Sequence, residues 1–166
     1  MISPLKPPDT FHLQAAIGWL ELGNHVEADS ELDKIRADFR AHPDVLKVRW
    51  QIYAAAKKWE ASLNIAAAQI HIDAEDPSGW VHRSYALHEL KRTTEARDNP
   101  LRVVDNFPLS ATVHYNLACY ECQLGRLEPA NAWLEKALKL GDARKMKLAA
   151  LSDPDLEPLW RDIGPT

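Results

Sequence analysis

Val113-His114-Tyr115-Asn116-Leu117-Ala118-Cys119-Tyr120-Glu121-Cys122-Gln123-Leu124-Gly125-Arg126, continuing through Ala130 to Leu138, contains one complete structural unit. Val113, Leu117 and Tyr120 recur at three- and four-residue spacing, the pattern of a helix with one buried face. Leu124-Gly125-Arg126 interrupts it with the residue best suited to a positive φ. Beyond the turn, Ala130, Trp133, Leu134, Ala137 and Leu138 resume helical spacing. The stretch predicts two helices folded back on each other by a tight turn.

The same unit recurs on both sides. Small residues stand at Ala28, Ser62, Ala96 and Ala130, each 34 residues from the next. Gly23, Lys57, Lys91 and Gly125 keep the same offset five residues earlier, at the expected turns. Leu13, Ile17 and Leu20, then Leu46, Trp50 and Tyr53, predict first helices. Ala28, Leu32 and Ile35, then Leu63, Ala66, Ala67 and Ile70, predict second helices. His42-Pro43-Asp44, Asp76-Pro77-Ser78 and Phe107-Pro108-Leu109-Ser110 separate the units, because proline disfavours helix in the residue before it and opens a helix readily itself.

A 34-residue helix-turn-helix period resembles the tetratricopeptide repeat. In the third unit Trp80, Leu87, Ala96 and Pro108 match the signature positions. In the fourth, Tyr115-Asn116-Leu117-Ala118, Leu124-Gly125-Arg126 and Ala130 to Ala137 match its core. The first unit matches at Ala15, Ala16, Trp19, Gly23 and Ala28. Three residues depart from the pattern: Trp50 where a small side chain is usual, Glu121 where an aromatic is usual, and Pro100 inside a second helix. A proline inside a helix costs about 3 kcal/mol and removes a backbone bond, so that helix is expected to bend or split near Asp98 to Pro100.

The resemblance implies an all-α fold: a right-handed α-α superhelix of four hairpins over about residues 9–42, 43–76, 77–110 and 111–140. A loose arm is expected over residues 1–8, and a capping segment of the kind that closes bacterial arrays over 141–166. Leu148, Leu151, Leu156, Leu159 and Trp160 are expected to cover the last hairpin, with Asp153-Pro154 as a helix cap and first-turn proline.

Composition narrows the function classes. The 166 residues are 46% hydrophobic and 27% charged, with 24 acidic against 20 basic side chains for a net charge of −4. That is an ordinary globular balance without a basic track for phosphates, so nucleic acid is not an expected partner. No segment is a membrane span or a secretory leader, and a cytoplasmic protein is expected. The two cysteines, Cys119 and Cys122, cannot frame the fold with disulfides.

Cys119-x-x-Cys122 has the spacing of half a zinc site or a redox pair. No second pair accompanies it and the cysteines fall in mid-helix, so they read as packing residues. His82, His88 and His114 lack a nucleophile or glycine-rich loop nearby and read as surface or groove residues. Trp19 and Trp80 are expected on the face between helices. No catalytic residue, metal or cofactor is expected.

What the resemblance implies instead is a concave wall made by first helices, with Lys47, Gln51, Val81, His82, Tyr85, His88, Tyr115, Asn116, Cys119 and Gln123 lining it, and Leu13, Ile17 and Leu20 in the first unit. The Lys, Arg and Asn set by which family members clamp a terminal carboxylate is incomplete. The expected role is a non-catalytic adaptor holding a peptide or helix of another protein. The alternatives are a self-associating structural module, with a weak homodimer as one form, and a secretion-type chaperone. A solvated polar wall is the plain reading of the same residues.

Overall fold

The computed structural model of the protein describes residues 3–164. Among them the fold is all-α, with ten α-helices, three 3-10 segments and no strand. Helices α1 (Asp9–Glu21) and α2 (His25–Asp33) form the first hairpin, α3 (Pro43–Ala55) and α4 (Trp59–Ile72) the second. Helices α5 (Pro77–Glu89) and α6 (Thr93–Leu101) form the third, α7 (Ala111–Gln123) and α8 (Leu127–Leu140) the fourth. The chain continues through α9 (Ala143–Ser152), a 3-10 segment at Pro154–Leu159 and α10 (Trp160–Ile163). Met1 and Ile2 of the expected arm lie outside the described residues. The chain divides into two compact units, one up to His82 and one from Arg83 onward.

One local device makes all four turns. Gly23, Lys57, Lys91 and Gly125 have φ of 77°, 55°, 63° and 74°. The amide of each donates to a carbonyl three residues back, on Leu20, Ala54, His88 and Cys122, at 2.8–3.0 Å. The next amide donates five residues back, to Trp19, Tyr53, Leu87 and Glu121, at 2.8–2.9 Å. This paired pattern satisfies carbonyls that a helix end leaves without partners, and it requires a left-handed residue at the bend. Glycine takes that conformation freely, whereas Lys57 and Lys91 hold it against the crowding of their own Cβ.

Starts are set as locally as stops. The Asn24 side chain accepts from the Glu27 amide at 3.1 Å, Ser110 from Val113 at 3.4 Å and Asp142 from Lys145 at 3.1 Å. Pro43 and Pro77 are the first residues of α3 and α5, where a missing N–H costs nothing. Pro100 does not split its helix: α6 ends at Leu101, nine residues long like α2, where α4 and α8 have fourteen. Gly79 lets α5 approach α4, since a Cβ there would sit 2.9 Å from Ile70 Cγ1.

In the first unit Ala16, Ala28, Leu32, Ile35, Val45, Val48 and Ile52 form the core, with Leu5, Leu13, Leu20, Phe39 and Tyr53 packed against it. Leu5 therefore anchors part of the expected loose arm. Burying a side chain such as Leu32 or Ile52 contributes about 1.5–3 kcal/mol. Asp9 is fully buried at the start of α1 and accepts from the Arg36 amide at 3.0 Å and from Arg36 Nε at 2.7 Å. These bonds hold its carboxyl below the usual range and bind the segment after α2 to α1. Arg49 of α3 donates to Asp29 and Asp33, each at 3.0 Å, and so fixes α3 on α2. Trp19, expected between helices, is instead 38% exposed.

The second unit is built around α7, of which Val113, His114 and Leu117 through Cys122 are buried. Glu121, in the usual place of an aromatic, meets Arg97 of α6 at 3.6 Å and Arg126 at 3.8 Å. Burying a polar side chain is costly unless neighbouring groups of this kind compensate it. Asn99 donates to Ser84 at 2.7 Å inside the third hairpin.

Residues 145–157 stand one period after α7, so α9 starts where a fifth first helix is due. Pro154 disfavours helix at Asp153, and α9 stops at Ser152. The remainder folds as the 3-10 segment against α7, capped by Asp153, whose side chain accepts from the Asp155 amide at 3.0 Å. Leu156 and Leu159 are buried and Trp160 Nε1 donates to the Ala150 carbonyl at 2.8 Å, whereas Leu148 points to solvent instead of covering the hairpin.

Candidate functional site

Each unit presents its own first-helix face. In the first unit Lys47 and Gln51 lie one helical turn apart on α3, both exposed. Trp50, next to Gln51, stacks on His82 with ring centroids 3.9 Å apart and planes 7° from parallel. His82 Nδ1 lies 2.8 Å from Gln69 Oε1. Burial first, and then the Lys47 charge, lowers the His82 pKa to about 4 despite Asp76, so the imidazole is neutral at pH 7. The large side chain at position 50 thus has a defined partner, 32 residues away. Val81 beside it is half-buried. A cavity of about 230 Å³ opens next to this stack, with Asp44, Lys47, Gln69, Asp76 and Gly79 in its wall.

In the second unit the corresponding face is covered, and what covers it is the chain's own C-terminal segment. Tyr115 Oη donates to Asp153 Oδ2 at 3.0 Å, and Cys119 Sγ lies 3.6 Å from the same oxygen. Gln123 Nε2 donates to the Asp155 carbonyl at 3.0 Å. His88 Nε2 lies 3.0 Å from Asp155 Oδ2, with its Nδ1 3.1 Å from Thr93 Oγ1. Tyr115, Cys119 and Gln123 are successive i, i+4 positions, one stripe of α7. Asn116, half-buried, sits beside the stripe, and Tyr85 of α5 is 43% exposed.

The structure therefore brings His88, Tyr115, Cys119 and Gln123 together around two carboxylates that sequence reasoning did not connect to them. The signal was present only as register, since Asp153 stands one period after Cys119. His114 is a buried residue, with its Nδ1 2.8 Å from the Ser110 carbonyl, and does not belong to the face. On another side of α7 a hollow of about 330 Å³ is walled by His114, Trp133, Lys136 and Lys139, with the Lys136 ammonium 4.4 Å from the Trp133 ring centre.

Electrostatics bears on what the face can do. Burial, reinforced by Asp153 and Asp155, pushes the Cys119 thiol well up, and Cys122 moves the same way. A raised thiol pKa opposes the thiolate that a nucleophile or redox pair needs. Burial and the neighbouring acids likewise push the Tyr115 phenol well up, so it acts as a hydrogen-bond donor. Among the described residues no group of three or more His, Cys, Asp or Glu is placed to hold a metal ion. None of their helices is long and apolar enough to cross a membrane.

Repeated hairpins joined by one kind of turn define a helical-repeat fold of tetratricopeptide type. Solved structures of MamA, a helical-repeat protein, share it. The protein described as "MamA 41-end from Desulfovibrio magneticus RS-1" aligns with a TM-score of 0.70 at 16% identity, over 81% of this chain and 76% of that one. "MamA RS-1 ArsTM double mutant" aligns with a TM-score of 0.70 at 16% identity, over 84% and 79%. "MamA MSR-1 C2" gives 0.64 at 22% identity, over 81% and 76%. At such identities the likeness is one of fold. No family model matches the chain, and no curated protein matches it.

Proposed function

We propose that the protein is a non-catalytic interaction scaffold whose first-helix faces hold segments of other proteins. The supporting observation is that one such face already holds a segment, the chain's own residues 153–159, through four side-chain hydrogen-bonding contacts and two buried leucines. A face that orders one peptide by alternating polar and apolar contacts has the chemistry to order another. Lys47, Gln51, Val81 and His82 are the proposed contact residues of the first unit. Tyr85, His88, Tyr115, Asn116, Cys119 and Gln123 are those of the second. A cytoplasmic setting suits this reading, and no cofactor is required by it.

Selection of a random displayed-peptide library on the intact chain tests the reading. Peptides of micromolar affinity should emerge, and Lys47→Glu with Gln51→Ala should weaken those bound at the first unit by about tenfold, the loss of one or two good contacts. A library that yields nothing above background on the intact chain defeats the proposal.

A second reading, self-association, draws on the first hairpin, where Phe11, Leu22 and Val26 are each more than 60% exposed. Exposed apolar side chains gathered in one hairpin favour burial against another chain. Light scattering decides: a stable dimer that Phe11→Ser with Leu22→Ser returns to a monomer supports this reading, and a wild-type monomer removes it.

A further inference from the structure

We infer that the α7 face is a docking site for a partner segment of the form Asp-x-Asp-Leu-x-x-Leu, which competes there with the chain's own tail. The inference rests on the scaffold reading and adds the chemistry of the ligand and its regulation.

The tail displays what the face recognises. Tyr115, Cys119 and Gln123 offer an O–H, an S–H and an N–H in one stripe, and His88 adds a ring nitrogen from α5. Two carboxylates two residues apart and one backbone carbonyl answer them. Leu156 and Leu159, both buried, provide an apolar anchor at three-residue spacing, which a 3-10 segment places on one side.

Several features mark the tail as a seated ligand that can leave. It is a 3-10 segment of its own, joined to α9 by the extended residue Asp153, and it packs more on α7 than on α8 or α9. Pro154, Glu157 and Pro158 face solvent. The side chains holding Asp153 and Asp155 are a phenol, a thiol and a histidine ring, with no lysine or arginine in these contacts. None of these contacts is the two-point fork by which an arginine clamps a carboxylate, so the polar hold lacks the strongest geometry. Tethering compensates, because a short tether presents the tail at an effective concentration in the millimolar range. A partner succeeds by presenting the same acids and leucines at higher affinity, and the tail sets the threshold.

Two measurements on the whole chain test this. In hydrogen exchange of the wild-type protein, amides of residues 156–163 should exchange at least about tenfold faster than those of α7 and α8, as an element that opens alone does. A labelled peptide of residues 152–163 should bind an Asp153→Ala/Asp155→Ala variant about tenfold or more tightly than it binds wild type, whose face is occupied. The same peptide with both acids changed to alanine should bind neither.

Tail amides as protected as those of α7 would show the segment to be permanent core and overturn the inference. So would equal binding of the peptide to variant and wild type. Wild-type dimers formed by exchanging tails would make a second copy the occupant and overturn the claim of a foreign partner. Should the variant lose its helical signal, wild-type exchange alone decides. Failure of this inference leaves library peptides selected through Lys47 and Gln51 unaffected, so it is distinguishable from failure of the scaffold reading.

Discussion

The α3 face of the first unit and the α7 face of the second are built from equivalent first helices, yet one is open and the other is covered. On α3, Lys47 and Gln51 meet solvent while Trp50 turns aside to stack on His82. On α7, every polar side chain of the stripe Tyr115, Cys119 and Gln123 is engaged by residues 153–155. The difference lies in the segment downstream of each hairpin, since both faces come from the same kind of helix. A binding surface in a repeat protein is thus defined by its neighbours as much as by its own side chains.

The largest effect that would break this comparison is at the tail. Leu156→Ala should destabilise the second unit by about 2–5 kcal/mol, the usual cost of truncating a fully buried leucine. Denaturant unfolding monitored by exchange of α7 amides measures it, and a loss under about 1 kcal/mol would mean the tail contributes little to covering the face.

The open face should be the acid-sensitive one. Folded His82 titrates at about 4 and the ordinary value is 6.5, so on acidification the unfolded chain takes up the proton first. Stability linked to this residue is complete above pH 6.5 and is lost as the pH falls to 4, by on the order of 2 kcal/mol. His82→Gln should flatten that part of the stability profile. An unchanged slope would detach His82 from it.

Tyr115→Phe removes the phenol that holds Asp153 and should cost about 1 kcal/mol, the net value of one hydrogen bond. It should also speed exchange of the tail amides without touching the first unit. The smallest effects should be equal in both units. Lys57→Gly and Lys91→Gly relieve the same left-handed strain and should each stabilise by about 0.5–1 kcal/mol in thermal unfolding. A gain at one turn and not the other would show that the turns are not equivalent.

Turns and hairpins were legible in the sequence because they depend on local chemistry repeated at fixed offset. Gly23, Lys57, Lys91 and Gly125 were located by spacing alone, and all four adopt the left-handed bend. Pro100 sits in the last turn of α6, which is nine residues long, as is the proline-free α2. Long-range partner choice was not legible. Trp50 stood out as an oversized residue, but periodicity contains no information that its partner is His82. Leu148 and Leu156 both fit a helical pattern, and only the break at Pro154 decides which is buried. The occupants of the α7 stripe escaped notice because carboxylates at Asp153 and Asp155 resemble ordinary solvated charges until the chain reverses.

That break has a wider meaning for how such a chain changes over generations. Each hairpin contacts only its neighbours, so one added at an end leaves the other interfaces as they are. Pro154 and Pro158 break the helical pattern after the fourth hairpin. They divert what begins as a fifth first helix onto α7 of the fourth hairpin. Two substitutions at those prolines would free the chain to run on as a full first helix and would uncover the α7 stripe.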